Sequence, residues 1–159
     1  MSLLDNIVDA KGAPSANYLK GTGRTVGRIR RVSWREPTAE KRANFRVDVE
    51  ILKSSVPQHA AEVGTTATMS LNFRYPDEDL ARMRRALAAA ETSATGDAVL
   101  ESTINKAKAD KLCGPTQPLV GAVVTIATIT KPQVKNPTNE FTKYELEVPS
   151  EADLEGLDF

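Results

Sequence analysis

The stretch Arg24-Thr-Val-Gly-Arg-Ile-Arg-Arg-Val-Ser-Trp34 decides how the rest of the chain is read. Its residue types suit a strand, with Val26, Ile29, Val32 and Trp34 as the apolar members. The alternation slips between Ile29 and Val32, where two arginines, Arg30 and Arg31, stand in place of one. A one-residue slip is what a β-bulge produces. A bulge bends its strand, and small barrels need bent strands to close.

Downstream, Arg35–Asn44 is polar, contains Pro37 and reads as a loop. Phe45–Leu52 alternates cleanly, with Phe45, Val47, Val49 and Ile51 on one face and Arg46, Asp48 and Glu50 on the other. Ser54–Gly64 is a turn region. Thr66–Tyr75 alternates again, sending Ala67, Met69, Leu71 and Phe73 inward and the polar, nearly uncharged Thr68, Ser70, Asn72 and Arg74 outward. Pro76 stops that strand and Asp77 is a good helix N-cap. Acids Glu78 and Asp79 precede Arg82, Arg84 and Arg85, the order a helix dipole favours. Leu80, Met83, Leu87 and Ala90 make its apolar stripe. Thr92–Gly96 breaks this helix, and Asp97–Lys111 predicts a weaker second one. Val120–Thr130 and Phe141–Val148 read as the last two strands, joined by the basic, proline-bearing loop Lys131–Glu140.

Three strands, a helical excursion and two more strands exclude a doubly wound parallel sheet. The order predicts a mainly β fold: a five-stranded OB-fold barrel with a helical insertion between strands 3 and 4. A different α+β sandwich is the alternative. Residues 1–19 read as an N-terminal arm, with Leu3, Leu4, Ile7 and Val8 at a spacing that suits a short helix or a floppy arm, then a Gly/Pro/Ser linker over Lys11–Ala16. Residues 20–149 read as the folded domain and 150–159 as an acidic tail. In the tail, Glu151, Asp153, Glu155 and Asp158 have no Lys or Arg beside them, and isolated apolar residues lead to Phe159. The segment has no helix or strand period and reads as solvated.

The 21 basic and 21 acidic residues cancel over the chain, yet residues 1–150 carry +4 and the tail −4. Lys20–Arg46 concentrates the basic side: nine cations against Glu36 and Glu40, a net +7. One cysteine, Cys113, fits a reducing compartment. No charged-then-apolar leader and no apolar run near 18 residues is present, which predicts a cytoplasmic chain with no membrane span.

Chemistry is sparse. His59 lies in a proline-bearing loop and reads as a solvated side chain. One Cys and one His cannot make a zinc site, and the sequence implies no metal and no cofactor. Gly21–Gly27 has the wrong spacing for a dinucleotide fingerprint and opens a strand. Asp48 and Glu50 share a strand face near Lys53, a set that a metal-dependent nuclease could use. The binding reading is fuller. Cations along a groove with aromatics at its rim hold single strands, phosphates on Lys and Arg and bases on rings. The candidates are Arg24, Arg28, Arg30, Arg31, Arg35, Lys41, Arg42, Arg46, Arg74, Lys131, Lys135 and Lys143, with Trp34, Phe45, Tyr75 and Phe141 as stacking platforms. In an OB-fold the loops between strands 1 and 2 and between 4 and 5 flank the binding face, and both are lysine-bearing here.

The order Asn17-Tyr-Leu-Lys20, Arg24-Thr-Val-Gly-Arg-Ile29, Phe45-Arg-Val-Asp-Val-Glu-Ile-Leu-Lys53, a Val63-Gly64 turn and Pro118-Leu-Val-Gly121 resembles phage-encoded single-stranded-DNA-binding proteins. The acidic segment ending in Phe159 resembles the C-terminal tips of bacterial and phage proteins of that type, though it lacks their consecutive acid run and penultimate proline. The resemblance implies a non-catalytic protein that coats single-stranded DNA in the host cytoplasm. It also implies that Asp153, Leu154, Glu155, Leu157, Asp158 and Phe159 recruit replication or recombination proteins. A protein–protein adaptor on the same barrel is the other rival, and oligomeric state is left open, a homodimer included.

Overall fold

The computed structural model describes residues 17–136 and 138–157. The arm read as a short helix or a floppy segment and the linker, over residues 1–16, and Asp158 and Phe159, lie outside these residues. In chain order the elements are β1 (Gly23–Arg35), β2 (Asn44–Ser54), α1 (Pro57–Ala60), β3 (Thr66–Asn72), α2 (Pro76–Thr95), a 3-10 turn (Glu101–Thr103), α3 (Lys106–Leu112), β4 (Val123–Pro132), β5 (Glu140–Glu147) and α4 (Glu151–Leu154). The strands form one sheet in the order β3-β2-β1-β4-β5, every neighbour antiparallel. Among the described residues no helix is long and apolar enough to cross a membrane.

The bulge read from the two arginines is present. Ile29 pairs with Val49 and Arg31 with Asp48, leaving Arg30 as the extra residue. A second irregularity follows Val26, where β2 holds the extra residue: Val26 pairs with Lys53 and Gly27 with Ile51. Gly27 is needed there because a Cβ would fall 2.7 Å from the Cβ of Val49. The alternation of β2 also holds, with Phe45, Val47, Val49 and Ile51 all buried. They pack with Val32, Met69, Ile126 and Leu146 and with the α2 residues Met83, Ala86, Leu87 and Ala90.

The sheet is open: β3 and β5, its two edges, do not pair with each other. Part of the free edge of β3, at Thr68, is taken by residues 17–19. Leu19 N–H donates to Thr68 C=O and Thr68 N–H to Asn17 C=O, both at 2.8 Å, so this strap runs parallel to β3. On its other side Leu19 C=O accepts from the Tyr144 hydroxyl of β5 at 2.6 Å. Leu19 is fully buried. Residues 17–19 therefore belong to the folded body and not to an arm.

Other local expectations are corrected. Pro76 is the first residue of α2, a position that needs no N–H, and Tyr75 is the N-cap. The buried Asp79 carboxylate reaches back to accept from Tyr75 N–H at 3.0 Å. Leu80 is 40 % exposed, and Ala86 takes its place in the buried stripe. α2 runs on to Thr95 and ends on Gly96 at φ +79°. The second helix is confined to α3, because Asn105 caps it by accepting from Lys108 N–H at 2.9 Å.

His59 is fully buried, not solvated. Its Nδ1 lies 2.8 Å from Glu62 Oε1, and its Nε2 accepts from Lys20 N–H at 3.1 Å, which fastens the strap to α1.

The tail is folded as far as Leu157. Ser150 and Asp153 form a capping box around α4. Lys53 Nζ donates to the carbonyls of Ala152 and Glu155, both at 3.1 Å, closing the other end. Tertiary partners on β1, β2 and β4 supply the order that the local sequence lacks.

Candidate nucleic-acid interface

The cations of the basic stretch divide into two groups. Those on the outward face of β1 and β2 are largely neutralised. Arg24 holds Asp153 at 2.8 Å and Glu147 at 2.9 Å. Arg28 and Arg30 both turn to Glu50, and Arg46 pairs with Asp48 at 3.1 Å. The face that looked most basic in sequence is thus an alternation of ion pairs. These contacts also account for Asp48 and Glu50, with Thr68 Oγ1 donating to Asp48 at 2.6 Å. Among the described residues no group of three His, Cys, Asp or Glu side chains is placed to hold a metal ion.

Asp153 is the most strongly perturbed of these groups. The Arg24 guanidinium above all, and then Ser150 N–H and the Thr125 hydroxyl, hold its carboxyl well below the usual carboxylate range against a smaller opposing effect of burial. Thr125 Oγ1 donates to Asp153 at 3.0 Å. Arg24 is raised further above its ordinary range by the same contact. Asp153 is therefore an internal anchor and not a free docking acid. Leu154 is half-buried beside Val120 and Val148, Glu155 is exposed, and Leu157 is half-buried.

The second group gathers where the edges of the open sheet approach each other. A cleft of about 580 Å³ lies there, walled on one side by the end of β3 and the start of α2 and on the other by β5 and the loop before it. Six residues expected from sequence line it: Arg42, Arg74, Tyr75, Lys135, Phe141 and Lys143. Arg42 comes from the β1–β2 loop and Lys135 from the β4–β5 loop, so both loops reach one site. Tyr75 is 58 % and Phe141 37 % exposed, and both are large apolar surfaces left open to solvent. The Arg74 guanidinium lies 5.5 Å from the centre of the Tyr75 ring, which orients both. Arg42, Arg74, Lys135 and Lys143 have no acid within ion-pair distance among the described residues. Arg82, also in the wall, is committed to Asp79 and Glu145. Glu78 and Asp79 add two carboxylates to the lining, the second of them held by Arg82 and Tyr75 N–H.

The remaining expected residues lie outside the cleft. Lys131 is exposed on β4 opposite Phe141 in the β4–β5 register. Arg31 and Lys41 are exposed, and Arg35 donates to the Arg42 carbonyl at 3.0 Å within the β1–β2 loop. Phe45 is in the core at 1 % exposure and offers no face to a ligand, because its parity on β2 is the buried one. Trp34 is half-buried, with its ring edge-on to Phe73 at 5.0 Å and its Nε1–H donating to Glu36 at 2.8 Å.

Reading by charge and aromaticity missed the uncharged lining of the cleft, Ser70, Asn72, Gln133 and Thr142. For Ser70 and Asn72 the signal was present: both sit at outward positions of β3, on a strand whose outward face is polar without being charged. No protein-family model matches this chain, and no curated protein matches it.

Proposed function

We propose that the protein binds single-stranded DNA through this cleft, without catalysis. Phosphates would meet Arg42, Arg74, Lys135 and Lys143, while bases stack on Tyr75 and Phe141. The observation that carries the reading is that four cations with no acid within ion-pair distance among the described residues, two of them from the β1–β2 and β4–β5 loops, share one cleft with the exposed rings of Tyr75 and Phe141. Convergence of those two loops is also the arrangement of an OB-fold, a five-stranded and partly open barrel. The five-strand order, the bulged β1 and the strap along β3 support describing this fold as a barrel of that type. The sequence resemblance to phage single-stranded-DNA-binding proteins points the same way. Past the Asp153 anchor, Leu157, Asp158 and Phe159 would be left to recruit a replication or recombination protein.

The test is a titration of the full chain with oligo-dT, with and without Mg²⁺. Retarded but intact DNA is the expected result. Cleavage would favour a nuclease, and no retardation would leave an adaptor.

A further inference from the structure

The walls of the cleft carry charge and rings, but its interior also carries amides and hydroxyls, and one of them has a fixed orientation. Asn44 Nδ2 lies 2.8 Å from Ser70 Oγ, 2.9 Å from Asn72 Oδ1 and 3.3 Å from the Leu71 carbonyl, which can only accept, so that atom is the donor nitrogen and its two hydrogens are shared among three acceptors. Asn72 therefore keeps its oxygen on Asn44 and leaves its NH₂ for a ligand. Gln133, across the cleft, makes no side-chain hydrogen bond among the described residues. The cleft volume falls in the range of about 300–1,000 Å³ typical of sites that enclose a small molecule. A strand lying along a surface needs no such enclosure. An unstacked base does.

Resting on the single-stranded-DNA reading, we infer that the cleft extracts one unpaired base from the strand, clasps it between Tyr75 and Phe141, and reads a ring-carbonyl oxygen with the Asn72 amide. Thymine, guanine and cytosine carry such an oxygen and adenine does not. The cleft is then a subsite with a preference, and the rest of the contact is indifferent to sequence. The rings supply area, since stacking tolerates any base. Asn72 supplies the discrimination, about fivefold to tenfold for one hydrogen bond of ordinary strength. A paired base cannot enter, because both of its faces are covered by stacking within the duplex and it cannot leave the stack without losing its partner.

The experiment uses the full chain and oligonucleotides of equal length. Bromodeoxyuridine-substituted oligo-dT is bound, irradiated, and the cross-linked residues identified by mass spectrometry. In parallel, affinities for oligo-dT and oligo-dA are compared for the wild type, Asn72→Ala and Tyr75→Leu. Oligo-dA stacks on itself, so the informative quantity is the change in the dT/dA ratio between proteins. The expected result is cross-linking to Tyr75 or Phe141 and a ratio about fivefold to tenfold smaller in Asn72→Ala. Tyr75→Leu, at an exposed position, should fold normally and weaken both ligands together. Cross-links confined to β1 or β2, or an unchanged ratio in a folded Asn72→Ala, would overturn the subsite while DNA binding stands. Failure to bind either oligonucleotide would overturn the functional reading beneath it.

Discussion

Arg24 and Asp153, 129 residues apart, form a two-point ion pair: Nε to Oδ1 at 3.1 Å and Nη2 to Oδ2 at 2.8 Å. The pair turns an acidic stretch without helical period into an ordered element of the body. It also removes Arg24 from the cations available to a phosphate. Because the folded carboxyl is held below its ordinary range, the stability it contributes is complete above the unfolded value of about 3.9. That contribution is lost as pH falls from there towards the folded value. Asp153→Asn should cost about 1–2 kcal/mol at neutral pH, a modest figure because Arg24 is part-exposed. It should also flatten the stability profile between about pH 5 and pH 2. Urea unfolding across that range checks both. Deleting residues 151–159 removes the same carboxylate, so the truncated protein should show at least that loss.

Gly27 sits against Val49 and Glu50 of β2. Gly27→Ala would place a methyl 2.7 Å from Val49 Cβ and 3.1 Å from the Glu50 carbonyl. Neither neighbour can turn away, since one is a buried β-branched side chain and the other is backbone. A loss of about 1–3 kcal/mol is expected, the usual cost of overpacking. Denaturant midpoints at unchanged m-value would show it. An unaltered midpoint would mean that the two strands part at this point without cost.

His59 ties the strap to α1: Nδ1 lies 2.8 Å from Glu62 Oε1, and Nε2 lies 3.1 Å from the Lys20 nitrogen and 3.2 Å from the Lys20 carbonyl. His59→Leu keeps the bulk but strands the Lys20 N–H, at a cost of about 1–3 kcal/mol. Amide exchange at Lys20 should quicken correspondingly. Exchange as slow as in the wild type would show that the strap does not depend on the imidazole.

The partition of the basic residues makes a prediction about salt. If the cleft meets phosphates, Arg42→Ala combined with Lys135→Ala should flatten the log–log dependence of affinity on salt by about 1.4, at roughly 0.7 per phosphate. Arg28→Ala with Arg30→Ala removes cations that already face Glu50 and should change the slope much less. Equal effects from the two pairs would mean that the outward sheet face carries DNA as well.

Local signals were readable wherever one element decides its own state. The alternation of Phe45–Ile51 fixed the buried face of β2, and the doubled arginine placed the bulge at Arg30. The paired loops Arg35–Asn44 and Lys131–Glu140 pointed to one site, and their residues Arg42 and Lys135 share the cleft. Unreadable features depend on partners far along the chain. Nothing around Asp153 announces Arg24, nothing around His59 announces Lys20, and the polarity of Asn17–Lys20 hides a segment that finishes a sheet edge. The neutralisation of Arg28, Arg30 and Arg46 was hidden for the same reason. A net charge counted along the sequence does not register which acids stand across the ladder.

The hydrogen bond from Tyr144 to Leu19 joins residues 125 positions apart. A chain leaving the ribosome therefore carries Leu19 from the start with nothing to hold its far side. β3 can receive the strap once Thr68 has emerged, but the second flank waits until β5 is made. Contacts of such long sequence separation slow folding, and a waiting strand edge exposes the nascent chain to wrong pairing. The helical excursion between β3 and β4 lengthens that wait, and α2 packs mainly against β5 and β4, so its own apolar face also finds most of its strand partners only after they are made.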